Sequence, residues 1–180
     1  MLIKIMKIEK HIEKKIEIDY FFIEGVVNID VNYFLKKIEN CVNFEENLNY
    51  KTSVKGKVTP FQYFRKDPMF LQLIDNFISY LDDNIDLTKY HLEEAWGFKV
   101  GNKEQTNFHK HLPAIWSGVI YLNDHEQILE FPGINKQIKP SVGKFVLFSS
   151  FLEHGCKKNN TDNFKYGLSF NMFISEIFKQ

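Results

Sequence analysis

Cysteine and proline are scarce in this sequence, and long apolar runs are absent from it. The 180 residues include five prolines and two cysteines, Cys41 and Cys156. Cysteines this far apart, with no C-x-x-C spacing, do not build a disulfide framework. No apolar run approaches the ~18 residues of a membrane span, and the N-terminal segment contains no apolar core of signal-peptide length. We therefore expect a protein of the reducing cytoplasm that does not enter a membrane.

An excess of charge of either sign is also missing. Lys plus Arg and Asp plus Glu number 23 each, so the formal net charge is zero. Without a global positive field, neither nucleic acid nor an anionic membrane is an expected partner. We expect a small molecule, a peptide or a protein as substrate, and a homodimer is left open. At this length the chain is expected to form a single domain over residues 1–180.

Aromatic residues, in contrast, are abundant, at 16% of the chain with 18 Phe. Such a composition suits a sheet-rich core. From Glu93 onward, short apolar segments alternate with turn residues roughly every 8–12 residues, which is typical of an antiparallel sandwich or barrel. We therefore predict a mainly β (α+β) protein in which residues 93–176 form a jelly roll, or double-stranded β-helix. The predicted strands are EAWGFKV, TNFHKH, SGVIYL, QILEF, KQIKP, GKFVLFS, LEHGCK and YGLSFNMFI.

Residues 1–92 follow a different pattern and are expected to support the jelly roll. The segment IEIDYFFIEGVV predicts a strand that ends near Gly25, and residues 43–64 predict a loop with a short strand. A helix is predicted over residues 30–42, capped by Asp30. Its apolar residues recur at the helical period: Val31, Phe34, Leu35, Ile38 and Val42.

A second helix is predicted over residues 68–82. Asp67 provides the N-cap and Pro68 occupies the first helical position. Its apolar stripe is expected to consist of Leu71, Ile74, Phe77, Ile78 and Leu81. We expect both flanking helices to pack on the outside of one sheet.

Two of the six histidines, His109 and His111, are separated by one residue in a predicted strand. Residues i and i+2 of a strand share a face about 7 Å apart, so both side chains can turn toward one point. In a jelly roll, His154 on a later strand can meet this pair. Three neutral imidazoles can coordinate a transition metal, although each histidine taken alone is also explained as a hydrogen-bonded or solvated residue. His11 and His125 are expected at the surface.

The order of four blocks resembles the 2-oxoglutarate and Fe(II)-dependent oxygenases of bacteria and phages. The blocks are HKHLPAIWSGVIYLND, ILEF, IKPSVGKFVLFSSFLEHGCKKN and FKYGLSFNMF. In that family H-x-H leads into S-G-V-x-Y-L, a P-x-x-G turn precedes the next strand, and a later His is followed by R-x-S-x-S-F-N. The resemblance covers residues 93–174, about half of the chain.

The resemblance implies that His109, His111 and His154 bind Fe(II), and that the protein uses 2-oxoglutarate and dioxygen. Lys165 takes the place of the family's arginine, which pairs with the distal carboxylate of 2-oxoglutarate, and Ser169 lies on the same face. The hydroxyl of Tyr121 is a further candidate for binding the cosubstrate, or else a buried structural group. His111 replaces the usual carboxylate of the facial triad, which leaves one more positive charge at the metal.

Three functions follow from these features. The first is an Fe(II)- and 2-oxoglutarate-dependent oxygenase that hydroxylates an unidentified substrate. The second is a cupin-like three-histidine dioxygenase without 2-oxoglutarate, although Ile115 and Trp116 stand where the cupin pattern expects Glu. The third is a jelly-roll binding module without catalysis, whose histidines hold zinc or no metal.

Overall fold

Antiparallel strands and two helices make up the part of the chain that the computed structural model describes, residues 19–44, 52–81 and 90–175. The helices are α1 (Val31–Phe44) and α2 (Pro68–Leu81), and a 3₁₀ turn spans Pro132–Ile134. The strands are β1 (Phe22–Val26), β2 (Lys57–Val58), β3 (Tyr90–Val100), β4 (Thr106–His109), β5 (Trp116–Tyr121), β6 (Leu129–Phe131), β7 (Lys136–Ile138), β8 (Lys144–Ser149), β9 (His154–Cys156) and β10 (Lys165–Ile174). The eight strands predicted after Glu93 are all present.

The strands form two sheets whose pairings are antiparallel. The larger sheet has the order β1-β8-β5-β10-β3-β2, and the smaller one has the order β4-β9-β6-β7. Neighbours in each sheet are mostly distant in sequence, as a jelly roll requires. Apolar residues of both sheets share one cluster, which includes Trp96 and Val146 of the larger sheet and Phe131 of the smaller one. The predicted jelly roll with flanking helices is therefore confirmed.

Side-chain alternation along the larger sheet separates two layers. On β10, Leu168, Phe170 and Met172 join the apolar cluster under the helices, which we call the helix-side layer. Lys165 and Ser169 alternate with them and line a cavity between the sheets. We call the space between the two sheets the inter-sheet layer. On β10, the period of two thus directs Leu168, Phe170 and Met172 to the helix-side layer and the polar Lys165 and Ser169 to the inter-sheet layer.

Both helices begin as the sequence predicts. Asp30 Oδ1 accepts the backbone N–H of Tyr33 at 3.0 Å, and Asp67 Oδ1 accepts that of Phe70 at 3.0 Å. These bonds satisfy N–H groups that lack a partner in the first helical turn. Helix α1 approaches the sheet at Gly97, where a Cβ atom would lie 2.4 Å from Cγ1 of Ile38.

The predicted stripe of α2 is wrong at one position. Leu71 is exposed, whereas Phe70, Leu73 and Ile74 are buried. Residues three and four apart share a helix face, and Phe70, Leu73, Ile74 and Phe77 form such a set against the helix-side layer. The side chains of Ile78 and Leu81 lie outside the described residues, as does His11. Residues 43–64 include the short strand β2, as predicted.

Within the described ranges, neither helix is long and apolar enough to cross a membrane. Cys41 and Cys156 are both buried, and they are not joined to each other by a disulfide bond.

Candidate metal centre

Three histidines from distant parts of the chain converge at one end of the inter-sheet layer. His109 ends β4 and pairs with His154, which begins β9. The potential ligand atoms of His109, His111 and His154 all lie within 4.8 Å of one another. The structure thus brings together the three residues that the H-x-H pair and the later histidine suggested.

His111 does not lie in the strand that the sequence predicted for it. Strand β4 ends at His109, and His111 belongs to the following turn, where its N–H bonds to Ser150 O and its carbonyl accepts the N–H of Ala114. His111 thus lies just beyond the end of β4, at the start of the turn. The ring centroids of His109 and His111 are 4.7 Å apart.

Backbone carbonyls orient two of the three rings. His109 Nδ1 donates to Asn107 O at 2.7 Å, and His154 Nδ1 donates to Leu152 O at 2.9 Å. These bonds place the ring proton on Nδ1 and leave a lone pair on each Nε2. A hydrogen bond of this kind to the distal nitrogen is the usual support of a metal-binding histidine.

Burial keeps the three imidazoles neutral. It lowers the pKa of His111 to about 2, with further lowering by His154 and His109. Burial and the nearby His109 lower the pKa of His154 to about 3, and burial also lowers the pKa of His109. The neutral ring is the form that binds metals, so the cluster is ready to bind at neutral pH without losing protons.

A cavity of about 60 Å³ opens beside the histidines within the inter-sheet layer. By the same measure a water needs about 10–15 Å³, so the space suits a ligand larger than a single water. Its wall combines apolar side chains with a few polar ones. The polar members besides the histidines are Thr106, Tyr121, Cys156, Lys165 and Ser169.

Lys165 is the most unusual group in this wall, because it is 2% exposed. Its Nζ donates to Cys156 Sγ at 3.3 Å, and no carboxylate of the described residues forms an ion pair with it. Burial lowers the pKa of the Lys165 ammonium, while Cys156 opposes that effect. A buried cation without an anion is costly, so this position favours an anionic ligand in the cavity.

Tyr121 and Ser169, which we expected to contact a cosubstrate, both line the same cavity. Burial raises the pKa of Tyr121 well above its ordinary value, so its hydroxyl stays protonated and can donate. No described residue forms a hydrogen bond with the Tyr121 or Ser169 hydroxyl. Lys165 and Ser169 are four residues apart on β10, which directs both to one face.

A more open cleft of about 280 Å³ also borders on His109 and His111. It shares Val54, Trp96 and these two histidines with the wall of the cavity. The rest of the cleft border combines apolar, polar and charged side chains: Phe61, Leu112, Pro113, Phe173, Thr52, Ser53, Asn171, Glu94 and Lys110. The histidines therefore adjoin two spaces, an arrangement that suits a small cosubstrate and a larger substrate.

Sequence reasoning missed the polar support of His111. Asn171 Nδ2 lies 2.6 Å from Glu94 Oε2 and 3.4 Å from His111 Nδ1. Glu94 and Asn171 are direct cross-strand partners on β3 and β10. The signal in the sequence is a carboxylate, Glu94, within a predicted strand of the sheet.

Other polar residues also differ from the expectation or lie apart from the cluster. The sequence placed His125 at the surface, but it is 5% exposed. Its Nε2 contacts Asn163 O, and its Nδ1 accepts the N–H of Gln127. The ring thus provides hydrogen-bond partners for two backbone groups. Glu130 forms an ion pair with Lys157 at 3.0 Å. Glu153 is exposed.

No protein-family model matches this sequence, and no curated protein matches it significantly. Solved structures, however, match its fold. A viral collagen prolyl hydroxylase from Paramecium bursaria Chlorella virus-1, in complex with 2-oxoglutarate, covers 85% of this chain and 94% of its own, with 14% identity and a TM-score of 0.60. This chain shares the fold of that enzyme.

Two further structures match in the same way. HygX from Streptomyces hygroscopicus, with nickel, 2-oxoglutarate and hygromycin B bound, is 12% identical over 87% of this chain and 83% of its own, with a TM-score of 0.61. A prolyl hydroxylase from Trichoplax adhaerens, in complex with a peptide fragment of hypoxia inducible factor, is 16% identical over 89% and 87%, with a TM-score of 0.62. At these identities the likeness defines the fold, and the chemistry has to be argued from the site.

Proposed function

We propose that this protein is a non-haem Fe(II)- and 2-oxoglutarate-dependent oxygenase that hydroxylates an unidentified substrate. The observation that carries the proposal is the buried side chain of Lys165, whose ammonium forms no ion pair with a described carboxylate. It lines a cavity beside three neutral histidines whose ring nitrogens converge. A metal cluster alone would fit many functions. The adjoining cation adds the requirement for an anionic ligand that reaches toward the metal.

His109, His111 and His154 would hold the iron, which supplies the activation of dioxygen when bound. The donor set fits such an ion, because neutral imidazole nitrogens bind first-row divalent metals. Lys165 would pair with the distal carboxylate of 2-oxoglutarate. Ser169 and Tyr121 would donate hydrogen bonds to it from the same wall.

The charge of the site agrees with a dianionic cosubstrate. Three imidazoles carry no negative charge, so they do not offset a divalent cation as the usual carboxylate ligand does. One carboxylate of 2-oxoglutarate would lie toward the metal and the other toward Lys165. The ligand would then balance two positive centres that the protein leaves unbalanced.

The chain's own residues would exclude water and orient the substrate. Apolar side chains such as Phe148, Val119 and Trp96 enclose the cavity, which strengthens the charge interactions inside it. The cleft would hold the substrate near the histidines. Its border of apolar, polar and charged side chains supports a peptide or a small molecule as substrate, and one structural neighbour carries a peptide fragment. We place this activity in the cytoplasm, since the sequence is poor in cysteine.

Calorimetric titration of the anaerobic, iron-loaded protein with 2-oxoglutarate tests the proposal. We expect a single site per chain, and aerobic incubation is expected to convert 2-oxoglutarate to succinate. Glutarate, which lacks the 2-oxo group, is the matched control and should bind more weakly. Iron binding without any binding of 2-oxoglutarate would contradict the proposal.

A cupin-like three-histidine dioxygenase is the second candidate, because the donor set consists of histidines alone. It would require no 2-oxoglutarate, and Lys165 would then bind an anionic group of the substrate itself. Oxygen consumption by the iron-loaded protein with small thiols, in the absence of 2-oxoglutarate, separates the two candidates. We expect no consumption under these conditions.

A further inference from the structure

Glu93 and Glu94 are adjacent on β3 but differ in their partners. Glu93 Oε2 pairs with Arg65 at 2.9 Å and lies 3.4 Å from His91 Nε2. Glu94 forms no ion pair with any cation of the described residues, and its carboxylate accepts a hydrogen bond from the neutral amide of Asn171 at 2.6 Å. Glu94 is also half-buried. A carboxylate that has lost part of its hydration is stabilised by a cation, so Glu94 retains the capacity to bind one.

The position of Glu94 is in the wall of the cleft. Among the described residues that border this cleft, Glu94 alone has a carboxylate. The amide nitrogen of Asn171 that bonds Glu94 also lies 3.4 Å from His111 Nδ1, so the carboxylate lies close to the histidine cluster. Lys110 is the lysine on the same border, and it is exposed, so water solvates its ammonium. A cation bound by Glu94 would therefore lie near the proposed metal ligands.

Aromatic side chains accompany this carboxylate in the wall of the cleft. Trp96 follows Glu94 by two residues on β3, and Phe61 and Phe173 border the same cleft. The rings of Phe61 and Trp96 are 5.2 Å apart in a T-shaped arrangement. Aromatic faces attract ammonium and guanidinium groups. A carboxylate among aromatic rings therefore suits an organic cation, whereas a calcium or magnesium ion requires about six or more oxygen ligands.

We propose that the cleft binds the substrate through an organic cation, an ammonium or a guanidinium group, that pairs with Glu94. This inference rests on the proposed function, because it names the chemical class of the molecule that would be hydroxylated beside the histidines. The binding itself requires neither iron nor 2-oxoglutarate. A lysine or arginine side chain of a peptide carries such a group, and so does a small alkylamine. The experiment below distinguishes these two sources.

Two degenerate heptapeptide libraries that differ only in the central residue, lysine or norleucine, test the proposal. Norleucine retains the aliphatic chain of lysine without the charge. We expect the full-length wild type, without added metal, to bind the lysine library about tenfold more tightly than the norleucine library, because a charge-assisted pair forms at a partly desolvated carboxylate. Calorimetry measures both affinities. Equal affinities, or no binding of the lysine library, would overturn the proposal.

The variant Glu94→Gln assigns the preference to one residue. Glutamine keeps an oxygen that can accept the hydrogen bond from Asn171, but it removes the charge. We expect Glu94→Gln to bind the two libraries with equal affinity. Glu93→Gln is the matched control, because Glu93 pairs with Arg65 and does not border the cleft, and it should retain the wild-type preference. If Glu94→Gln preferred lysine as strongly as the wild type does, Glu94 would not bind the cation.

Titration with n-butylammonium chloride distinguishes the two sources of the cation. An affinity equal to that of the lysine library would support a small amine as substrate, and a weaker one would support a peptide. The proposed function can fail separately from this inference. If the lysine preference were present but the iron-loaded protein did not bind 2-oxoglutarate, only the proposed function would be wrong. If the iron-loaded protein bound 2-oxoglutarate and the wild type bound both libraries equally, only the present inference would be wrong.

Discussion

The two layers on either side of the larger sheet differ in what they bury. The helix-side layer consists of apolar side chains, with Phe34, Ile38, Phe64 and Phe170 almost fully enclosed. The inter-sheet layer encloses a comparable set of apolar residues, but it also buries polar groups such as Lys165. The helix-side layer thus buries mainly apolar surface, whereas the inter-sheet layer also retains a cation that needs a ligand. We infer that the helix-side layer contributes mainly to stability and that the inter-sheet layer binds the ligand.

Removal of a large side chain from the helix-side layer is the strongest way to test this division. Phe64 is fully buried and its ring lies 5.6 Å from that of Phe34. Phe64→Ala is expected to lower the free energy of unfolding by about 3–5 kcal/mol, measured by urea denaturation. The metal affinity of the folded fraction should not change.

The same substitution at an exposed position provides the control. Phe164 is 47% exposed, and Phe164→Ala should cost about 1 kcal/mol or less. A loss at Phe64 no larger than that at Phe164 would contradict the assignment of stability to the helix-side layer.

A substitution in the histidine cluster should lower the metal affinity. Outer-shell partners typically contribute about 10–100-fold to metal affinity, so we expect His154→Ala to weaken Co(II) binding by about 100-fold or more. That factor corresponds to about 2.7 kcal/mol. Calorimetric titration measures it, and His91→Ala, which alters a histidine outside the cluster, should have no effect. Equal affinities in the two variants would place the metal elsewhere.

Replacement of the buried cation should separate ligand binding from stability. Lys165→Met keeps most of the side-chain volume and removes the charge, so 2-oxoglutarate binding is expected to weaken about 10- to 100-fold. Metal content should be unchanged. The free energy of unfolding should not fall, because an unpaired buried charge is lost. Anaerobic calorimetry and urea denaturation check the two expectations.

Two further variants serve as controls for Lys165→Met. Lys165→Arg is expected to retain binding, because a guanidinium pairs with a carboxylate through two hydrogen bonds. Lys157→Met changes a neighbouring lysine that pairs with Glu130 near the surface and should not affect cosubstrate binding. If Lys165→Met bound 2-oxoglutarate as the wild type does, Lys165 would not belong to its site.

The smallest expected effect concerns acid sensitivity of the helix side. Burial alone would raise the pKa of Asp67, but hydrogen bonds from Lys37 and Tyr33 outweigh it and hold the pKa below its ordinary value. The unfolded chain therefore takes up a proton more readily, and this part of the stability is present at neutral pH and lost as the pH falls below about 4. Asp67→Asn keeps a capping oxygen and removes the charge.

We expect Asp67→Asn to be about 1 kcal/mol less stable than the wild type at pH 7, because the partially exposed Lys37 is screened by solvent. The difference should shrink between pH 4 and pH 2, as measured by urea denaturation at each pH. Glu126→Gln, which removes an exposed carboxylate paired with Lys139, should show little difference at any pH. If the difference in the free energy of unfolding between the wild type and Asp67→Asn grew as the pH fell, the inferred direction of the Asp67 pKa shift would be wrong.

The local parts of the fold could be predicted from the sequence because they depend on periodicity and capping. Alternation after Glu93 identified the strands, and Asp30 and Asp67 identified the helix starts. Leu71 was assigned to the wrong face of α2 because a stripe of leucines and isoleucines can be drawn in more than one way. Only contact with the sheet selects between these alternatives.

For the candidate site, the sequence by itself determined the residue types and their order along the chain. The H-x-H pair, the later histidine and the lysine four residues before Ser169 were all visible in it. Tertiary structure decided which groups meet, because the pairing of β4 with β9 and that of β3 with β10 join residues far apart in sequence. The contact of Glu94 with Asn171 spans 77 positions. No local pattern encodes such a contact, since it depends on the register in which two strands pair.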